Sequence, residues 1–184
     1  MMGSLLTEPA QSRPDLLAPP VAKALAVWPI EAVIDADQIL VAPIDPALAD
    51  TAAFCEAYGL GLTESANCVI VAGSRNGTTR YAACIVLATT RADVNGVVRR
   101  HLDVRKASFA PMDDAVAQTG MEYGGITPIG LPASWPILVD SRVVATPHVI
   151  IGSGVRHSKI AIAGPAIGAL PGAVVIDGLA REAS

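Results

Sequence analysis

The chain has 184 residues, of which 52% are hydrophobic and 16% charged, with a mean hydropathy of +0.47. That is enough apolar content for one compact domain with a large core, and it excludes disorder as the main state. Its longest apolar run, Tyr81 to Ala88, is strand-sized, well short of the roughly 18–20 residues that span a bilayer, so no membrane partner is expected. Met1 to Pro9 carry neither a basic segment nor a long apolar one, which sets the expectation of a cytoplasmic protein. The net charge of −4 is unevenly divided, because residues 1–66 hold nine acids and two bases whereas residues 67–184 hold eight acids and eleven bases. The second part is therefore the one suited to receive a polyanion.

In chain order, the first dozen residues are polar and proline-bearing and are expected to fray. Leu16, Leu17, Val21, Leu25 and Val27 then predict a helix from Asp15 to Trp28, with Pro19-Pro20 near its first turn and Pro29 as its stop. Short strands are expected at Val33 and from Ile39 to Val41. A helix from Asp45 to Tyr58 follows, with Asp45 as its cap, Pro46 at the first position and Gly59 past the end. Two apolar stretches, Cys68 to Ala72 and Tyr81 to Leu87, flank Asn76-Gly77. Asn-Gly accepts positive φ in a tight turn, so these read as paired antiparallel strands, and their continuous apolarity implies burial on both faces. Beyond them come a short helix from Asp93 to Leu102, a strand at Lys106 to Phe109 and a helix from Pro111 to Gln118. Strands at Ile137 to Asp140, His148 to Ile151 and Lys159 to Ala163, a helix after Pro165 and a strand at Ala173 to Ile176 complete the pattern. The fold class is mixed α/β (α+β), a single domain with a mainly antiparallel, curled or barrel-like sheet and surrounding helices.

Chemistry is first limited by what is missing. Cys55, Cys68 and Cys84 form no paired framework, and His101, His148 and His157 show no metal-ligand spacing, so neither a metal nor another cofactor is expected. Walker A, G-x-S-x-G, H-E-x-x-H and G-x-G-x-x-G patterns are absent. Asp113 and Asp114 are adjacent, so on a helix their side chains diverge by about 100° and cannot close on one atom. They suit a helix N-terminus instead.

What is present is a loop. Gly120 to Gly130 holds four glycines and Pro128 in eleven residues, directly after a predicted helix. Glycine lets a backbone N–H approach an anion or a carbonyl oxygen, although a connection without chemistry would have the same composition. Gly152-Ser153-Gly154, after a strand, is a second polar lip or a turn. Arg99, Arg100, His101, Arg105 and Lys106 make the densest basic stretch, either a solvated helix face or a grip for phosphates. Only 4% of residues are aromatic, which disfavours an extended base-stacking track and favours a short nucleic-acid end.

These parts, in this order, resemble the YbaK/prolyl-tRNA editing domain family. The resemblance runs from about Ala53 to Ile162 and rests on Ala57-Tyr58-Gly59, the strand Cys68 to Ala72, the strand and helix from Ala82 to Leu102, Lys106-Ala107-Ser108, Thr119-Gly120, the stretch Gly124 to Gly130, Val139-Asp140 and Gly152-Ser153-Gly154. Gly124 to Pro128, a G-x-x-x-P element, is its most specific part. By this resemblance residues 51–180 form the editing-like domain and residues 1–50 an extension packed on it.

The resemblance implies hydrolysis of the ester of a wrongly charged tRNA, with no protein nucleophile, metal or cofactor. Gly124, Gly125, Ile126 and Thr127 would cradle the ester through their backbone. Pro128, Ala107, Ser108, Arg80, Gly152, Ser153 and Gly154 would bind substrate, and Arg99, Arg100, Arg105 and Lys106 would hold the tRNA acceptor end. No DNA partner is expected. Members of the family usually carry a lysine at the start of the first core strand, where this sequence has Asn67, or Cys68 if the register slips by one. Asn donates hydrogen bonds without charge, and by this resemblance Asn67 joins Gly124, Gly125, Ile126 and Thr127 as the expected catalytic set. Two expectations follow: a freestanding aminoacyl-tRNA deacylase for a small amino acid, or a catalytically silent module that binds an aminoacyl-tRNA or aminoacyl nucleotide. A covalent role for Cys68 is disfavoured by the absence of a nearby histidine and by its place in a core strand.

Overall fold

The computed structural model describes residues 2–28 and 33–183. Strand β1 (Glu8–Pro9) opens the chain, followed by two 3-10 turns and helix α1 (Pro19–Ala26). The helix starts later than the apolar spacing predicts. Ala18 precedes a proline and stays extended at ψ 150°, and Pro19 takes the first helical position, where its missing N–H costs nothing. Pro29, the expected stop, lies outside the described residues. Val33 belongs to no strand, and β2 is Leu40–Pro43.

The helix expected from Asp45 to Tyr58 is divided. Asp45 caps a 3-10 turn at Pro46–Leu48, and Asp50 caps α2 (Thr51–Tyr58) by accepting from the Ala52 and Ala53 N–H groups. Asp50 is itself extended, at ψ 135°, so a helix cannot run through it. Gly59 closes α2 at φ +66°.

Strands β3 (Ala66–Arg75) and β4 (Thr78–Leu87) pair along their whole lengths across Asn76-Gly77, whose φ values are +53° and +78°. The rest of the chain adds β5 (Thr90–Ala92), a π-helical turn at Val94–Val98 that runs into α3 (Arg99–His101), β6 (Lys106–Phe109) and α4 (Met112–Thr119). Then come β7 (Ile137–Asp140), α5 (Ser141–Ala145), β8 (His148–Gly152), β9 (Ser158–Ala163), α6 (Gly164–Gly168), β10 (Ala173–Ile176) and β11 (Ala180–Glu182). The short elements β5, α5 and β11 have no counterpart in the sequence reading.

Three sheets form, in the orders β1-β2-β9-β8, β10-β7-β4-β3-β6 and β11-β5. None closes into a barrel, because β6 and β10 are opposite, unpaired edges of the central sheet. Pairing is mainly antiparallel, with β7 parallel to both β4 and β10. The apolar run of β4 is buried on both faces. Ala83, Ile85 and Leu87 meet Val149, Ile151, Ile160 and Ile162 of the first sheet, while Ala82, Cys84 and Val86 meet Val94, Val98, Leu102 and Leu179. The outer face of the first sheet is covered by α2, whose Phe54 is packed with Ile150 and Ala161.

The N-terminal segment is part of this core. Glu8–Pro9 pairs with β2 and Ala10 is fully buried, so order begins earlier than the fraying expected over the first dozen residues. Leu16, Leu17, Val21 and Leu25 share a core with β4, β8 and β9.

Candidate functional site

A cavity of ≈ 640 Å³ opens where the start of α2, the start of β3, the end of β8, β9 and the glycine loop meet. This is the size of a small-molecule site. Asn67, Gly124, Ile126 and Gly152 of the sequence candidates line it, together with Cys68 and, from outside the candidate set, Asp50, Thr51, Phe109, Tyr123 and Lys159.

Backbone contacts fix the loop. The Glu122 N–H donates to the Gly154 carbonyl (2.8 Å), the Gly154 N–H to the Gly125 carbonyl (2.7 Å) and the Gly125 N–H to the Glu122 carbonyl (2.9 Å). Gly125 and Gly152 are required by this closeness, since a Cβ on Gly125 would stand 2.5 Å from the Val155 carbonyl oxygen and one on Gly152 would overlap the Gly125 carbonyl. Gly124, at φ +85°, lies exposed beneath the Arg156 guanidinium. Among the described residues, the Gly124 and Ile126 N–H groups donate to no protein acceptor, and both residues line the cavity.

Other candidates serve the loop from behind or lie elsewhere. Ser153 is fully buried, in a hydroxyl contact with Ser158 (2.7 Å), and Ser158 donates to the Leu16 carbonyl (2.6 Å). Gly154 packs on Ala18. Thr127 is fully buried, and its hydroxyl has no partner among the described residues. Pro128 lines a separate apolar cleft beside Trp28 and Trp135. Arg80 ties the hairpin to the turn after α3, donating to the Leu102 carbonyl (2.9 Å), and Asp103 in that turn also pairs with Arg75.

Ala107 and Ser108 face a second groove, of ≈ 700 Å³, which Arg99, Arg105 and Lys106 also line. Arg100 is exposed but does not line it. The groove and the cavity share β6, whose next residue, Phe109, belongs to the cavity. Phe109 is 60% and Tyr123 54% exposed at the cavity, so each offers an aromatic face at its mouth.

Within the cavity, Asn67 Oδ1 accepts from the Thr51 hydroxyl (2.8 Å). That leaves the Nδ2 donors of Asn67 free among the described residues. Cys68 is held as a neutral thiol, its pKa pushed up by burial and further by the neighbouring Cys84, which removes the thiolate a nucleophile needs. Lys159 is only 8% exposed. Its pKa is pushed down by burial and by Arg156, against the opposing influence of Cys55 and Asp50. Sequence reasoning missed this lysine, although a single base inside the apolar strand Ser158–Ala163 was a visible signal. Among the described residues, no three of His, Cys, Asp and Glu converge as metal ligands, and no helix is long and apolar enough to cross a membrane.

The family model of the aminoacyl-tRNA editing domain matches residues 45–168, and the chain belongs to that family. The fold is shared with several solved structures. One, described as a proposed trans-editing enzyme for prolyl-tRNA synthetase, has a TM-score of 0.73 at 20% identity, covering 90% of this chain and 97% of its own. A scaffold protein from computational epitope backbone grafting has a TM-score of 0.72 at 20% identity, with 90% of this chain and 97% of that one covered. The hypothetical protein APE2540 has a TM-score of 0.67 at 19% identity, with 77% and 90% covered.

Proposed function

We propose that this chain is a freestanding aminoacyl-tRNA deacylase that hydrolyses the ester of a tRNA mischarged with a small amino acid. The observation that carries the reading is the cavity of ≈ 640 Å³ with the unpaired Gly124 and Ile126 N–H groups on its wall, in a chain of the editing-domain family. In this reading the terminal adenine stacks on Phe109 or Tyr123, and the aminoacyl ester enters the cavity with its carbonyl oxygen toward the loop. A water molecule attacks the carbonyl carbon, oriented by the neighbouring ribose hydroxyl. The loop N–H groups receive the charge that develops on the oxygen. Such catalysis rests on positioning and preorganised donors, and asks for no protein nucleophile. The basic groove across β6 takes backbone phosphates of the acceptor end.

Release of labelled amino acid from tRNAs charged with alanine, cysteine, serine or proline tests the reading. Turnover by the wild type on at least one of them is the expected result, and none on any would overturn it. The neutral Asn67 favours a second reading, a binding module without turnover. That reading expects tight binding of charged tRNA by the wild type, no release, and release restored in Asn67→Lys.

A further inference from the structure

Lys159 is the one cation among the described residues that line the cavity. It lies on β9 directly across from Gly152 of β8, the glycine on which the loop carbonyls of Gly125 and Ile126 rest. The Nζ donates to the Ala49 carbonyl at 3.1 Å and stands 5.4 Å from the centre of the Phe54 ring. Among the described residues no carboxylate forms an ion pair with it. Asp50, the acid on the cavity wall, gives Oδ1 to the N-terminus of α2. One carbonyl engages one of three ammonium donors, in a place where a buried charge is costly unless fully partnered. Further donors on the same wall, beside the Asp50 carboxylate and the Thr51 and Tyr123 hydroxyls, are the free Asn67 amide and the Gly124 and Ile126 N–H groups. A pocket so rich in donors, with one cation, is complementary to an anionic oxygen brought by its ligand.

We infer that Lys159 is a catalytic residue whose ammonium binds the oxygen that becomes negative when water adds to the ester. The inference rests on the deacylase reading and adds to it the group that supplies the charge. Water's oxygen bonds to the carbonyl carbon, and the C=O electron pair moves onto the carbonyl oxygen, beside Lys159. That pair then re-forms the double bond as the acyl–oxygen bond to the ribose breaks. The ribose oxygen takes the proton that the water gave up, and Lys159 keeps its own throughout.

The test compares wild type with Lys159→Met, a substitution that keeps the length of the side chain. On a tRNA that the wild type deacylates, the variant should lose about 100-fold to 1000-fold in kcat, the scale of removing one oxyanion donor, with KM changed by less than about threefold. Wild-type kcat in a folded Lys159→Met protein, judged by circular dichroism, would overturn the inference while leaving the deacylase reading intact. A wild type that turns over nothing removes that reading but still leaves a measurement. Affinities are then compared for two adenosine conjugates, one carrying a tetrahedral anionic phosphonate and one a neutral amide in place of the ester. The wild type should prefer the phosphonate, and Lys159→Met should lose that preference. Equal preference in the two proteins would overturn the inference by itself.

Discussion

Asp140 holds three elements together from one carboxylate. It is fully buried and caps α5 through the Arg142 N–H. It also pairs with the Arg142 guanidinium (2.8 and 3.1 Å) and accepts from the Ala180 N–H of β11 at 2.9 Å. Burial pushes its pKa up, but the bonds from Arg142 and from the two backbone N–H groups outweigh that and hold it below the usual carboxylate range. A depressed folded-state pKa contributes stability that is fully present above the unfolded value, about 4, and is lost as pH falls through the folded value. Asp140→Asn should therefore cost about 2 kcal/mol at pH 7, the scale of charged hydrogen bonds made neutral. In urea titrations the gap between wild type and variant should close as the pH drops below about 4. A gap independent of pH would show that the charge contributes nothing.

At the scale of elements, β6 is a shared wall. Its Lys106, Ala107 and Ser108 line the basic groove and Phe109 lines the cavity, so the two meet on consecutive residues of one strand. If Arg99 and Arg105 each neutralise a phosphate, the double change to Ala should lower the log–log salt slope of tRNA binding by about 1.4–1.8. A slope equal to that of the wild type, measured by filter binding across salt concentrations, would move the phosphate path elsewhere. The elements themselves were legible where local chemistry decides them. Asn76-Gly77 specified its hairpin, Gly120 ended α4, and β6, β7 and β10 lie where alternating or continuous apolarity put them. Elements that depend on a distant partner were not legible, as with β5 and β11, which pair across the length of the C-terminal half. The candidate site divides in the same way. Glycines 124, 125 and 152 advertise a close-packed backbone in any context. Lys159 acquires its meaning only when β9 carries it beneath α2, and Ala107 and Ser108 line the groove while the next residue of the same strand, Phe109, lines the cavity.

Across the whole molecule, the segment from Leu16 to Leu25 acts as a buttress for the loop. The Ala18 N–H donates to the Ser153 carbonyl (3.1 Å), and the Leu16 carbonyl accepts from Ser158. A Cβ on Gly130 would stand 2.5 Å from the Pro20 carbonyl oxygen. Val21 and Leu25 are buried in the central core. Deleting residues 1–28 should therefore do more than trim a tail. Burial of Leu16, Leu17, Val21 and Leu25 at about 1.5–3 kcal/mol each is comparable to the whole stability of a domain, so the truncated protein should lack a cooperative thermal transition in calorimetry. A sharp transition near the wild-type temperature would mean that the segment is a passenger.

The contact between Leu16 and Ser158 joins residues 142 positions apart. During synthesis the segment that supports the loop leaves the ribosome well before the serine it must meet. Contacts of such long range close late and slowly. A growing chain thus carries its glycine loop unsupported until β9 has emerged, so the pocket takes shape only after that strand has been made.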